Sequence, residues 1–163
     1  MIESIPYVLT GIGIIVSILY YTSVLSNSNK TRQANLFNSI YDSMLNKELF
    51  EIQWELHTGY HYTDYNDFLE KYGQDKDSES FKNLHYYFAH LEGMGIYVKH
   101  GLISPTLIDD FMSSDIVLLW EKFEPFFNGA RIATNNPTLF EYVEYLYNQI
   151  KPIREKQLTE LAS

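Results

Sequence analysis

Apolar residues are distributed in two ways along this chain. From Ile5 to Leu25 they form a run without a single charged residue, closed by Lys30 and Arg32. A helix of roughly 20 such residues spans about 30 Å, the thickness of a bilayer's hydrocarbon core. Beyond Thr31 the apolar positions recur at three- and four-residue steps, the period of a helix with one buried face. No stretch alternates in the manner of a strand. The expectation is an all-α protein with a single N-terminal transmembrane helix followed by a compact cytoplasmic helical bundle. Residues 1–29 would be the anchor, 30–152 the bundle and 153–163 a polar C-terminal tail.

The soluble helices follow from the apolar steps and their punctuation. Leu36, Ile40, Met44 (or Tyr41), Leu49, Ile52 and Leu56 predict one helix from Thr31 to His57, stopped at Gly59. Ser26 to Asn29 is its only soft junction with the anchor. Asp64 caps a short helix that ends at Gly73. Ser78 or Ser80 starts the next, with Phe81, Leu84, Tyr87 (or Phe88), Leu91, Met94 and Val98 on its inner face. Gly93 and Gly95 inside it suggest a close helix crossing. Ser104-Pro105 opens a helix with Ile108, Phe111 and Met112 as its apolar side. Asp115 caps a further one that Pro125 should kink near Glu121. Asn136-Pro137 starts the last helix, and Pro152 should limit it.

The apolar run could also be read as a signal peptide or a core helix. A signal peptide wants a positive start and a shorter apolar stretch, and Glu3 gives the opposite charge. A core helix would show a polar stripe, which Thr10, Ser17, Thr22 and Ser23 do not form. An anchor is the better reading. The flanking Lys30 and Arg32 then place the following domain in the cytoplasm by the positive-inside rule, as a single-pass cell-membrane protein. Tyr7, Tyr20 and Tyr21 fall at interface depth. Gly11 and Gly13 lack the spacing of a helix-dimer motif, and a lipid-facing role is the simpler account.

Charge narrows the choice of partners. The net charge is −9, and ten acidic residues between Asp42 and Glu79 face only Lys47, Lys71 and Lys76. Nucleic acid needs the opposite sign and is not an expected partner. The acidic stretch reads as a solvated face that an anionic leaflet would repel. There is no cysteine, which removes disulfides, thiolate metal sites and cysteine nucleophiles. The 14 Tyr and 10 Phe supply bulk for a small helical core.

Chemical motifs are scarce. His57 and His61 have the spacing of a two-histidine metal face, but Gly59 lies between them and the stretch reads as a helix end. Asp75, Asp77 and Glu79 lack the glycine and distal glutamate of a calcium loop. No phosphate-binding loop, nucleophile elbow or paired Glu-x-x-His is present, so no catalytic residue, metal or cofactor is expected. The most distinctive polar set is Trp120-Glu121-Lys122-Phe123-Glu124-Pro125 with Arg131. Glu121 sits between aromatic residues and should need a cation, Arg32 or Arg131. Glu92, amid Leu91, Met94 and Ile96, has Lys99 seven residues on. Arg32, Glu92, Trp120, Glu121, Glu124 and Arg131 therefore form the candidate polar network. It is either a structural set that fixes helix register or the lining of a pocket.

Several short motifs in a fixed order extend over most of the chain, the anchor included. They are Arg32-Gln33-Ala34-Asn35-Leu36-Phe37, Glu51, Trp54-Glu55, Tyr65-Asn66-Asp67-Phe68 and Lys71-Tyr72-Gly73. Then come Phe88, Leu91-Glu92-Gly93, Val98, Gly101-Leu102-Ile103, the Trp120 to Pro125 run and Arg131. Together they resemble the prokaryotic family catalogued as domain of unknown function 4760. The resemblance implies a membrane-tethered all-helical protein without an assigned activity or catalytic residues.

The functional expectation is a non-catalytic, membrane-anchored interaction or accessory protein. The bilayer would hold residues 5–25, and a protein partner or a second copy would meet the helical surface. The alternative is a small-ligand sensor or enzyme with a pocket formed by Glu92, Glu121 and Arg131. A third is a subunit of a larger membrane complex, with Gly11 and Gly13 facing another span.

Overall fold

The computed structural model describes residues 5–161, with side chains from Thr10 onward. Glu3, the negative start weighed above, lies outside the described residues. Tyr7 is within a helix, but its side chain is outside what is described. Among the described residues there are six helices and no strand: α1 (Ile5–Met44), α2 (Lys47–Thr58), α3 (Tyr65–Tyr72), α4 (Ser78–Lys99), α5 (Pro105–Ala133) and α6 (Glu141–Leu161). The chain divides into two compact units, one up to Asn38 and one from Ser39 onward. In the first, α1 is long and apolar enough to cross a membrane, and none of its most apolar window is buried by protein.

The second unit is built on α4, α5 and α6. Both α4 and α5 pack along α6, while α2 and α3 pack against α4 and α3 also lies on α5. Leu84, Tyr87, Phe88 and Leu91 of α4 meet Ile116, Leu119, Trp120, Phe123 and Phe127 of α5 and Val143, Leu146 and Ile150 of α6 in the core. Aromatic rings carry much of it. Phe88 lies 5.5 Å from Phe123 and 4.6 Å from Phe127, both edge to face. Gly95 makes the α4–α6 crossing close, because a Cβ there would collide with the Tyr142 backbone carbonyl. Gly93, two residues earlier and about 200° around the helix, meets nothing and plays no such part.

Capping sets several boundaries and in two places corrects the sequence expectation, and a backbone kink corrects a third. The helix expected from Thr31 to His57 is interrupted. Asn46 takes an extended conformation and its side chain accepts the Glu48 N–H at 2.9 Å, starting α2 afresh. Asp77, rather than Ser78 or Ser80, caps α4 through the Ser80 N–H. In α5 the backbone leaves helical geometry at Met112 (φ −151°), and neither Pro125 nor Glu121 does so. Ser104 caps α5 with Pro105 in its first turn, as expected.

The last helix also differs from expectation at both ends. It begins at Glu141, after a turn in which Asn135 and Phe140 have positive φ. The Phe140 ring, 4.9 Å from Phe127, holds that unusual backbone in place. At its other end α6 continues through Pro152 to Leu161. A proline removes one helical hydrogen bond but does not forbid continuation when later turns have their own contacts. Here the Gln157 side chain donates to Asp109 on α5 at 2.8 Å.

Candidate functional site

Glu121 belongs to a polar set that bridges α5 and α6, with partners other than those expected. The inward face of α5 is set by Ile116, Leu119, Trp120, Phe123 and Phe127. Glu121 lies about 100° beyond Trp120 on the helix, on the outer side with Leu118, which is 50% exposed. Its carboxylate is thus at the surface rather than buried among aromatics, and Leu118 does not belong to the core. Oε1 accepts the Lys151 ammonium at 2.9 Å and the Tyr147 hydroxyl at 3.2 Å, and Lys151 also donates to Tyr147 at 2.8 Å. The Lys151 hydrogen bond, then that of Tyr147, holds the Glu121 carboxyl below the usual range. Of the two expected cations, Arg131 turns elsewhere, and Arg32 is exposed on α1.

The Arg131 side chain is largely enclosed, 14% exposed. Its Nε donates to the Leu139 carbonyl at 2.9 Å and its Nη1 to Glu144 at 2.7 Å. The guanidinium lies 5.8 Å from the ring centre of buried Trp120. It therefore ties the turn before α6, and α6 itself, to the end of α5. Glu124, expected to share a face with Arg131, is exposed on α5. Glu92 caps α6 from α4, with Oε2 accepting the Val143 N–H at 2.8 Å. Burial pushes its carboxyl above the usual range, against the pull of the Val143 and Tyr142 amides. Lys99, the cation expected beside it, instead sits over the Tyr145 ring at 4.6 Å.

A second polar cluster was not anticipated. Lys122 of α5 donates to the Leu56 and His57 carbonyls at 2.6 and 2.9 Å, closing the C-terminal end of α2. Burial lowers its ammonium below the usual lysine range. Tyr62 donates to the Lys122 carbonyl at 2.5 Å. The His57 imidazole bonds Asp115 at 3.0 Å, so it faces a carboxylate rather than His61. Glu55 accepts from Ser80 at 3.0 Å and from Asn83 at 3.3 Å. The only sequence signal was composition: a lysine inside the aromatic stretch of α5, and a histidine in the last turn of α2.

Two surface features remain. A groove of 380 Å³ runs between the end of α1 and α4, lined by Ser39, Ile40, Ser43, Tyr86, His90 and Met94 among others. No member of the expected network lines it. The His90 Nδ1–H donates to the Tyr86 carbonyl at 2.9 Å, leaving Nε2 as the acceptor. On α2, Phe50 and Trp54 are 58% and 66% exposed, one turn apart and opposite the buried Leu49, Ile52 and Leu56.

The family described as Domain of unknown function (DUF4760) matches residues 7–150, and the chain belongs to it. No curated protein and no solved structure matches.

Proposed function

We propose that this member of the family is a membrane-tethered, non-catalytic interaction module, held by α1 and presenting its Ser39-onward unit to a protein partner in the cytoplasm. One observation carries the reading. The charged groups that the sequence offered as a pocket are engaged with one another or with helix ends: Glu121 with Lys151, Arg131 with Glu144 and the Leu139 carbonyl, and Glu92 with the α6 amides. A reactive or ligand-binding set would converge on one cavity, whereas here a single donor of the set, Arg131 Nη2, is left buried without a partner. This set behaves as cross-links between helices. The exposed aromatic pair on α2 gives the module a surface to work with.

The test is gentle detergent extraction of the native protein followed by identification of what co-purifies. A stoichiometric protein partner is the expected result. Recovery of the chain alone, from membranes where it is abundant, counts against the reading. Small-ligand sensing is a second reading, now drawn from the α1–α4 groove. Its volume is at the small end of ligand pockets, and it pairs an apolar floor with the Ser39, Ser43 and His90 polar groups. A metabolite that raises the thermal midpoint, and no longer does so after Gly93→Leu, would favour it.

A further inference from the structure

The outward face of α2 joins two properties that seldom coincide on an acidic surface. Phe50 and Trp54 stand four residues apart on one face of the helix, an aromatic ridge that with Glu51 lines a hollow of 470 Å³. Trp and Phe in such a position carry large contact area and are the residue types that dominate binding energy at interfaces. Around the ridge lie Glu48, Glu51 and Glu55. The Glu55 carboxylate has neutral partners, the Ser80 hydroxyl and the Asn83 amide, so its charge is not cancelled. Glu51 meets Lys47 at 3.5 Å, with those side chains 66% and 89% exposed, a contact that a competing cation displaces at little cost.

Resting on the interaction-module reading above, we propose that this face docks a basic amphipathic helix of a partner protein. Apolar residues of that helix would pack on Phe50 and Trp54, and its Lys or Arg residues would meet the exposed Glu48 and Glu51, with Glu55, turned to α4, adding to the field. Charge decides between occupants. A second copy of the chain would bring the same carboxylates against these. An anionic leaflet would be repelled in the same way. A basic helix satisfies both the ridge and its rim.

The chain supplies its own reporter. Of its two tryptophans, Trp120 is 2% exposed and Trp54 is 66% exposed, so acrylamide quenching reads Trp54. The full chain in phosphatidylcholine nanodiscs is titrated with an 18-residue Leu/Lys amphipathic peptide and with its Leu/Glu counterpart. Empty nanodiscs serve as control. The Leu/Lys peptide should blue-shift Trp54 and cut its quenching severalfold, and the Leu/Glu peptide should do neither. Glu48→Lys with Glu51→Lys should weaken the Leu/Lys peptide by roughly tenfold or more, as loss of charge complementarity does. Phe50→Ala with Trp54→Ala, followed by anisotropy of a labelled peptide, should weaken it similarly with an unchanged thermal midpoint.

Trp54 that stays fully quenchable at saturating peptide overturns the proposal, as does equal binding of the two peptides. Protection that grows with protein concentration alone assigns the face to a second copy. Protection that appears only in phosphatidylserine nanodiscs assigns it to lipid. A native partner retained equally by the wild type and by the Phe50/Trp54 double variant rejects this dock and leaves the interaction-module reading standing. Peptide binding as expected, with no native partner recovered at all, counts against that reading instead.

Discussion

The Glu92 carboxylate of α4 accepts the Val143 N–H of α6 at 2.8 Å, so one helix is capped by a side chain from another. A free N-terminal amide costs about 1 kcal/mol when its cap is lost. The position thus serves packing and capping together, at the cost of holding a carboxylate in a half-buried site.

That cost gives the first prediction. Burial raises the Glu92 carboxyl above its unfolded value of about 4.3. The folded protein then keeps a proton that the unfolded chain has released, and this group's contribution to stability falls as pH rises from about 4.3 through the raised value. Glu92→Gln retains the acceptor and removes the charge. It should hold the thermal midpoint at pH 7 and flatten this part of the pH profile. Glu92→Ala should lower the midpoint by about 2–4 °C, equivalent to about 1 kcal/mol. Equal midpoints for Ala and Gln would show that the cap contributes nothing.

Glu121 and Arg131 should respond very differently to truncation. Glu121 and Lys151 are 43% and 37% exposed, and such a pair contributes about 1 kcal/mol or less. Glu121→Ala should therefore shift thermal unfolding only slightly. The Arg131 side chain is 14% exposed and serves both Glu144 and the Leu139 carbonyl. Arg131→Ala should cost about 2–4 kcal/mol, and Arg131→Lys should recover only part, since a lysine lacks the fork that reaches both acceptors. A larger loss at Glu121 than at Arg131 would contradict this ranking.

The two glycines of α4 should change stability in opposite directions. Gly95→Ala places a methyl against the Tyr142 backbone carbonyl, which cannot rotate away, and should destabilise by about 1–3 kcal/mol. Gly93→Ala meets no atom within 4 Å and should stabilise by up to about 1 kcal/mol through helix propensity. Chemical denaturation of the two variants side by side is the measurement.

Topology is tested on intact cells. With Lys30 and Arg32 on the inner side, protease added outside should spare the Ser39-onward unit. Its digestion in sealed cells would reverse the orientation.

Helix content was legible because apolar residues past Thr31 keep a period of three to four. Tyr87, Leu91, Met94 and Val98 are all buried on α4 as that period requires. The break at Asn46 was also written there, in the five-residue step from Met44 to Leu49 with a capping residue inside it, but the flanking matches obscured it. The polar site was legible in composition and not in pairing. Trp120 and Phe123 are buried while Glu121 between them is not, because steps of about 100° bring Phe123 back to within about 60° of Trp120 and leave Glu121 on the outer side. Lys151 and Lys122 find their acceptors 30 and 66 residues away, and that proximity comes from tertiary packing alone.

Pro152 gives α6 two dynamic regimes. It supplies no amide to the Asn148 carbonyl, so the hydrogen-bond ladder has a rung missing just after the buried Ile150. Amides on the buried face up to Ile150 should exchange with solvent only when the α4–α5–α6 core opens. Those from Ile153 to Leu161, held by local bonds and the Gln157–Asp109 contact, should exchange sooner, by fraying. The helix that is continuous in shape should therefore be discontinuous in protection, and melting its last turns would leave the core closed while stripping the 4%-exposed Asp109 of its Gln157 partner.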